Sequence, residues 1–192
     1  MVDPVELSKE DFDRAYERMS DVFADIRGQV QFAEAKNGAL FASTMAVIIG
    51  VATVLSSFDD VPFSVLLWLG TTCFGLTGAV ILALLSFLPV MGPKSHRFAR
   101  GSDGNGENLI FWGEIRRFAP LAYAEAFLQT LQVGGRPTRL IIDLAEQIVI
   151  NSGIAHRKFR LFGFGAWATL TAMLAPAAIM LVHLALNNWV IT

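Results

Sequence analysis

The side chains able to do covalent chemistry are few and scattered. His96, His156 and His183 lie far apart, and no His-x-x-x-His spacing or paired-carboxylate arrangement suggests a metal centre. Cys73 is the single cysteine, which excludes an internal disulfide and a thiolate-rich metal site; it reads as a small packing residue. Gly101-Ser102-Asp103-Gly104-Asn105-Gly106 resembles a phosphate loop superficially. No Lys-Ser/Thr follows it and no strand is expected before it, so the Walker pattern fails and the segment reads as a linker. An enzyme is not expected, nor a cofactor. The remaining groups are suited to binding: Arg116 and Arg117 follow Phe111 and Trp112 closely, while Lys36, Asn151, His156, Arg157 and Lys158 lie near the ends of two long helical segments.

The elements that must position these groups are dictated by where charge is absent. The chain has 192 residues, 54% of them hydrophobic, and a mean hydropathy of +0.50, above the roughly 45–50% apolar content of soluble domains. Gly38–Ser57, Phe63–Val90 and Leu161–Ile191 contain no Lys, Arg, Asp or Glu, and each reaches the roughly 20 residues that cross a hydrocarbon core. The fold class expected is therefore an all-α integral membrane protein. Residues 38–57, 63–90 and 161–191 are its three transmembrane helices; residues 1–37 and 91–160 form long amphipathic cytoplasmic helices in a helical bundle, all as one structural unit.

Basic residues set the expected orientation, because cytoplasmic flanks collect Lys and Arg. Five precede the first span and the other ten lie between the second and third. The Phe58–Pro62 turn carries only Asp59 and Asp60, and the Asn187–Thr192 tail has no charge. This places the N-terminus and central region in the cytoplasm and the C-terminus in the periplasm. The acidic start, with Asp3, Glu6, Glu10, Asp11 and Asp13, argues against a cleaved signal peptide. A net charge of −2 makes nucleic acid polymer an improbable partner, since duplex binding needs a basic face.

Two apolar seams run at heptad spacing. Phe12, Tyr16, Met19, Phe23, Ile26, Val30 and Ala33 form one, leading into the first span; Ile141, Ala145, Ile148, Ser152, Ala155 and Phe159 form the other, leading into the third. Such stripes want partner helices, and their simplest use is to pack on each other beneath the membrane. The polar face of the first is mainly acidic, which disfavours a helix lying on lipid. Gly38, Ala42, Ala46 and Gly50 recur every fourth residue, a small-residue ridge that lets a neighbouring helix approach; chance in an Ala-rich span is the other reading. Pro89 and Pro93 end the second span, Pro120 opens a helix to about Gln132 that Gly134-Gly135 ends, and Pro137 opens the next. Pro176 is expected to kink the third span without ending it.

Four motifs then occur in a recognisable order: Glu34-Ala35-Lys36-Asn37-Gly38; Phe87-Leu88-Pro89; Asn108-Leu109-Ile110-Phe111-Trp112-Gly113-Glu114-Ile115; and Asp143-Leu144-Ala145-Glu146-Gln147-Ile148 through Asn151 to His156-Arg157-Lys158-Phe159. Together they resemble the transmembrane Pycsar effector family, PycTM, from about Glu34 to Phe164. Asn37 departs from the small residue, such as Ala, expected after the lysine. The resemblance implies antiphage defence by abortive infection: a neighbouring cyclase makes cyclic CMP or cyclic UMP on infection, and the effector answers by impairing the bacterial inner membrane. The partners implied are that nucleotide, membrane lipid and further copies of the chain in a homo-oligomer.

A receptor for such a ligand needs a cation for the phosphate, a polar acceptor for the ribose and a flat wall for the base. On this reading Lys36, Arg116 and Lys158 stand near phosphate, Glu114 or Asp143 with Asn151 toward ribose or base, and Arg117 and Trp112 complete the set. Each has a competing reading. Lys36, Arg157, Lys158 and Arg160 flank membrane boundaries, where basic residues snorkel; Arg116 and Arg117 are solvated in that case, and Trp112 is a core or interfacial anchor. Asp143 and Glu146 pair with Arg139 on the helix surface, and His183 and Trp189 are interfacial. Two other functions stay open: a ligand-independent membrane scaffold recruiting a partner through its amphipathic helices, and a small transporter, disfavoured because the spans lack charge.

Overall fold

The computed structural model describes residues 7–57, 60–88 and 108–189, with side chains to Ile179 and at Leu181. The linker Gly101–Gly106, His96, Asp59 and the prolines Pro89 and Pro93, as well as the side chains of His183 and Trp189, lie outside that description. Five helices follow in order: α1 (Lys9–Ser56), α2 (Phe63–Phe87), α3 (Trp112–Ile115), α4 (Pro120–Thr130) and α5 (Arg139–Trp189). There is no strand among the described residues, and three helices are long and apolar enough to cross a membrane. The protein is an all-α membrane protein.

The chain divides into two compact units, one of Met1–Ala33 with Pro89–Lys158, the other of Glu34–Leu88 with Phe159–Thr192. Both α1 and α5 are unbroken helices that contribute residues to each.

In the first unit α1 begins at Ser8, whose Oγ accepts the Asp11 backbone N–H at 3.1 Å and donates to the Asp11 carboxylate at 2.7 Å. That satisfies one of the orphan donors of a helix start. The core collects Ala15, Met19, Val22 and Ile26 of α1, Ile115, Phe118, Tyr123, Ala124, Phe127 and Leu128 around α3 and α4, and Ile141, Ala145, Ile148 and Val149 of α5. The two sequence seams thus share one core. The α5 seam is as expected over Ile141, Ala145, Ile148, Ser152 and Ala155, all fully buried, whereas its last member Phe159 is only half-buried. On α1 the seam is buried at Met19, Ile26 and Ala33 as expected, but Ala15 and Val22 are buried beside it, whereas Phe12 and Phe23 pack at the rim and Tyr16 is 39% exposed.

Pro120 is the first residue of α4, as its lack of an N–H predicts. The helix does not run to the glycines. It ends at Thr130 in a Schellman motif, with Val133 N–H donating to Leu128 O at 3.1 Å and Gln132 N–H to Gln129 O at 3.0 Å. Gln132 takes the left-handed position with φ 56°, where glycine is usual, and Gly135 follows at φ 124°. Pro137 precedes α5 by two residues rather than opening it, and Pro176 lies inside that helix without ending it.

The second unit is built inside out. Its buried line along α2 is Leu69, Thr72, Leu76, Ala79, Ala83 and Ser86, and on α1 it includes Asn37 and Thr44. Thr44 and Thr169 approach at 3.5 Å between α1 and α5. Outside stand Phe74, 84% exposed, and Phe63, 77% exposed, with Trp167, Ile179 and Leu181 similarly uncovered. An interior where small and hydroxyl-bearing residues join Leu69 and Leu76, beneath large apolar side chains facing outward, is the pattern of helices solvated by lipid. Close approach is achieved by glycine: a Cβ on Gly75 would stand 2.6 Å from the Cβ of Ala172, and one on Gly165 would stand 2.8 Å from Leu40 Cδ2. The ridge Gly38, Ala42, Ala46 and Gly50 does not supply these contacts within the subunit, apart from Gly38, where a Cβ would lie 4.0 Å from Phe87 Cζ. Ala42, Ala46 and Gly50 are exposed and nothing lies within 4 Å of a Cβ on Gly50, because the buried face of α1 passes through Asn37 and Thr44 instead.

Candidate ligand-binding site

The segment Asn108–Phe118 in the first unit is folded tightly by its own side chains. Asn108 Oδ1 accepts the backbone N–H groups of Ile110 at 2.9 Å and Phe111 at 3.0 Å, and Glu114 accepts the Asn108 N–H at 2.8 Å. An asparagine forms this kind of turn because its side-chain carbonyl mimics a backbone acceptor. Gly113 sits beneath the Phe111 ring, where a Cβ would collide with Phe111 Cε1. From below, Tyr123 donates its hydroxyl to Leu109 O at 2.9 Å. Tyr123 is fully buried between Phe118 and Phe127, and burial pushes its phenol well above the ordinary tyrosine range.

This scaffold holds Phe111 and Trp112 side by side, ring centroids 5.0 Å apart, and sets Trp112 against His156 of α5 at 5.7 Å. On its other side the segment faces α1 across two contiguous grooves. One, of about 550 Å³, is lined by Asp25, Ile26, Gln29, Asn108, Ile110, Phe111 and Trp112. The other, of about 540 Å³, shares Asp25, Asn108 and Ile110 and adds among others Arg18, Asp21, Phe127 and Thr130. Both fall in the roughly 300–1,000 Å³ range of small-molecule sites. Arg18 and Asp21 form an i,i+3 ion pair at 3.8 Å with both side chains 66% exposed.

Of the residues singled out in the sequence for binding, Phe111 and Trp112 line one groove and the others lie outside both. Glu114 is the tie that closes the Asn108 turn. Arg116 follows α3 as its C-cap and is partly buried, and Arg117 is exposed. Asp143 pairs with Arg139 at 2.9 Å on the outer face of α5, the surface pairing the spacing suggested. Asn151 donates its amide to Gln147 O at 2.8 Å, one turn back on its own helix. Lys158 is buried. Lys36, in the second unit, places its ammonium over the rings of Phe159 at 5.9 Å and Phe162 at 5.5 Å, a cation–π arrangement.

Sequence reading missed Arg18, Asp21, Asp25, Gln29 and Asn108 as groove residues. Those on α1 look like a solvated polar face, and only the partner segment some eighty residues later makes that face one wall of a groove. Arg18, Asp21, Asp25 and Gln29 do recur at helical spacing of three and four residues, which is the signal that was there. Among the described residues no cluster of His, Cys, Asp and Glu could hold a metal ion.

Residues 18–185 match the protein family described as PycTM, the Pycsar effector protein domain. A Pycsar effector protein, RsPycTM, from a Rhizobium species is 31% identical over 165 residues, covering 82% of this chain and 91% of that protein. No solved structure matches the chain.

Proposed function

Since the chain belongs to the Pycsar effector family, we propose that it is the membrane effector of a cyclic-pyrimidine-nucleotide antiphage system. Its first unit lies in the cytoplasm and binds cyclic CMP or cyclic UMP made by a neighbouring cyclase. Binding changes the packing of the membrane helices, the inner membrane is impaired, and infection aborts with the cell. The chain acts by binding rather than by turnover, and works as a homo-oligomer.

The observation that carries this reading is the family match, which spans both compact units. Continuity of α1 and α5 through both units supports a direct mechanical route, because a ligand that prefers one of two helix arrangements shifts the population toward it. The ten basic residues between the second and third spans support the cytoplasmic placement.

Titration calorimetry of the detergent-purified protein with cyclic CMP, cyclic UMP, cyclic AMP and cyclic GMP tests it. Selective binding of a pyrimidine ligand is expected. A folded sample that binds none of the four would favour a scaffold that recruits a partner through its amphipathic helices.

A further inference from the structure

One face of α1 displays, in sequence order, Arg18, Asp21, Asp25 and Gln29, all lining the grooves opposite Ile110, Phe111 and Trp112. At 1.5 Å rise per residue, Gln29 and Asp25 are about 6 Å apart along the axis and Asp25 and Arg18 about 10 Å. A cyclic ribonucleotide carries its groups in the same order: a flat base with amide-like edges, a single free 2′-hydroxyl, and one anionic phosphate. An arginine side chain is long enough to reach back along the groove to shorten the second interval.

The chemistry agrees position by position. Phe111 and Trp112 are held rigidly by the Asn108 and Glu114 hydrogen bonds and provide aromatic surface on which a base can stack. Gln29 offers one amide donor and one carbonyl acceptor, which can pair with the edge of either pyrimidine. Asp25 is exposed to the shared part of both grooves, and a carboxylate is a pure acceptor, the partner a ribose hydroxyl needs. Arg18 is engaged by the exposed 3.8 Å pair with Asp21, an interaction weak enough in water to be exchanged for a phosphate.

We propose that this α1–loop groove is where the cyclic pyrimidine ribonucleotide binds, with Phe111 and Trp112 against the base, Gln29 at its edge, Asp25 on the 2′-hydroxyl and Arg18 on the phosphate. The inference rests on the effector reading above, and it assigns the phosphate to Arg18 rather than to Arg116 or Lys158. It also gives two neighbouring carboxylates opposite roles. Asp25 holds the ligand, whereas Asp21 competes with the phosphate for Arg18 and repels it.

Calorimetry with cyclic CMP and cyclic UMP on four forms of the full-length protein tests the assignment: the natural chain, Asp25→Asn, Asp21→Asn and Asp13→Asn, the last an exposed α1 carboxylate outside both grooves. All three substitutions make the same charge change on exposed residues, and helical circular dichroism confirms folding. Expected are at least tenfold weaker binding for Asp25→Asn, several-fold tighter binding for Asp21→Asn, and unchanged binding for Asp13→Asn. The 2′-deoxy ligand should lose at least tenfold on the natural chain and little more on Asp25→Asn. If the natural chain binds a pyrimidine nucleotide but Asp25→Asn and Asp21→Asn bind it equally well, the groove is not the site while the effector reading stands. If the folded natural chain binds neither nucleotide, both fall together.

Discussion

At the scale of single residues, two positions in the first unit depart from what their side chains prefer, and each has a measurable consequence. Gln132 occupies the left-handed position of a Schellman motif at φ 56°, which costs an L-residue roughly 1–2 kcal/mol relative to its usual conformation. Gln132→Gly is therefore expected to stabilise the protein, by about 1 kcal/mol after the greater chain entropy of glycine is counted, seen as a higher unfolding midpoint in detergent. Tyr123 is buried with its hydroxyl on Leu109 O, and burial raises its phenol pKa above the unfolded value of about 10. A raised pKa means the unfolded chain releases this proton first, so its contribution is intact below pH 10 and is lost as pH rises beyond it, at up to about 1.4 kcal/mol per pH unit. Unfolding midpoints measured between pH 9 and 11 should fall for the natural chain and fall less for Tyr123→Phe. The phenylalanine variant should also be less stable at pH 7 by about 1–2 kcal/mol, because Leu109 O loses its partner.

Helices were the part of the fold most open to reading from sequence, and the reasons for success and failure are physical. The α5 stripe Ile141, Ala145, Ile148, Ser152 and Ala155 is buried as its spacing implies, since every residue on it is small or branched and none demands a different depth. On α1 the expected stripe is buried at Met19, Ile26 and Ala33, but its aromatics Phe12, Tyr16 and Phe23 stay at the rim or exposed while Ala15 and Val22 take the interior. Sequence records how apolar a residue is more plainly than how much room it has. In the second unit Ala42, Ala46 and Gly50 of the small-residue ridge face outward within the subunit, and the tight glycine contacts inside it are at Gly75 and Gly165, positions no spacing rule singled out. Gly75→Ala forces a Cβ to 2.6 Å from that of Ala172, so α2 and α5 must part, at a cost of about 1–3 kcal/mol. Gly78→Ala and Gly50→Ala meet nothing within 4 Å and should leave the unfolding midpoint in detergent within error or slightly higher. Equal loss from all three would contradict the packing described. The grooves were illegible for a different reason: Asp25 and Asn108 become neighbours only through the tertiary fold, and nothing in the local pattern of either segment signals the other.

For the whole molecule, the division into two units joined by two unbroken helices is the feature from which the functional account follows. The first unit has a water-facing surface and an apolar core; the second turns large apolar side chains such as Phe63, Phe74 and Trp167 outward and belongs in lipid. A ligand in the first can act on the second only if it has unequal affinity for two arrangements of the helices they share. Membrane insertion itself should not depend on the ligand groove, so Asp25→Asn is expected to fractionate with the membrane like the natural chain while losing its response. The most direct test of the account reconstitutes the purified protein in liposomes holding an ion gradient and adds each cyclic nucleotide outside. The gradient is expected to survive until cyclic CMP or cyclic UMP is added and then to collapse, with cyclic AMP and cyclic GMP inert at the same concentration. A gradient that leaks equally with and without every nucleotide, or holds despite measured pyrimidine binding, would contradict it.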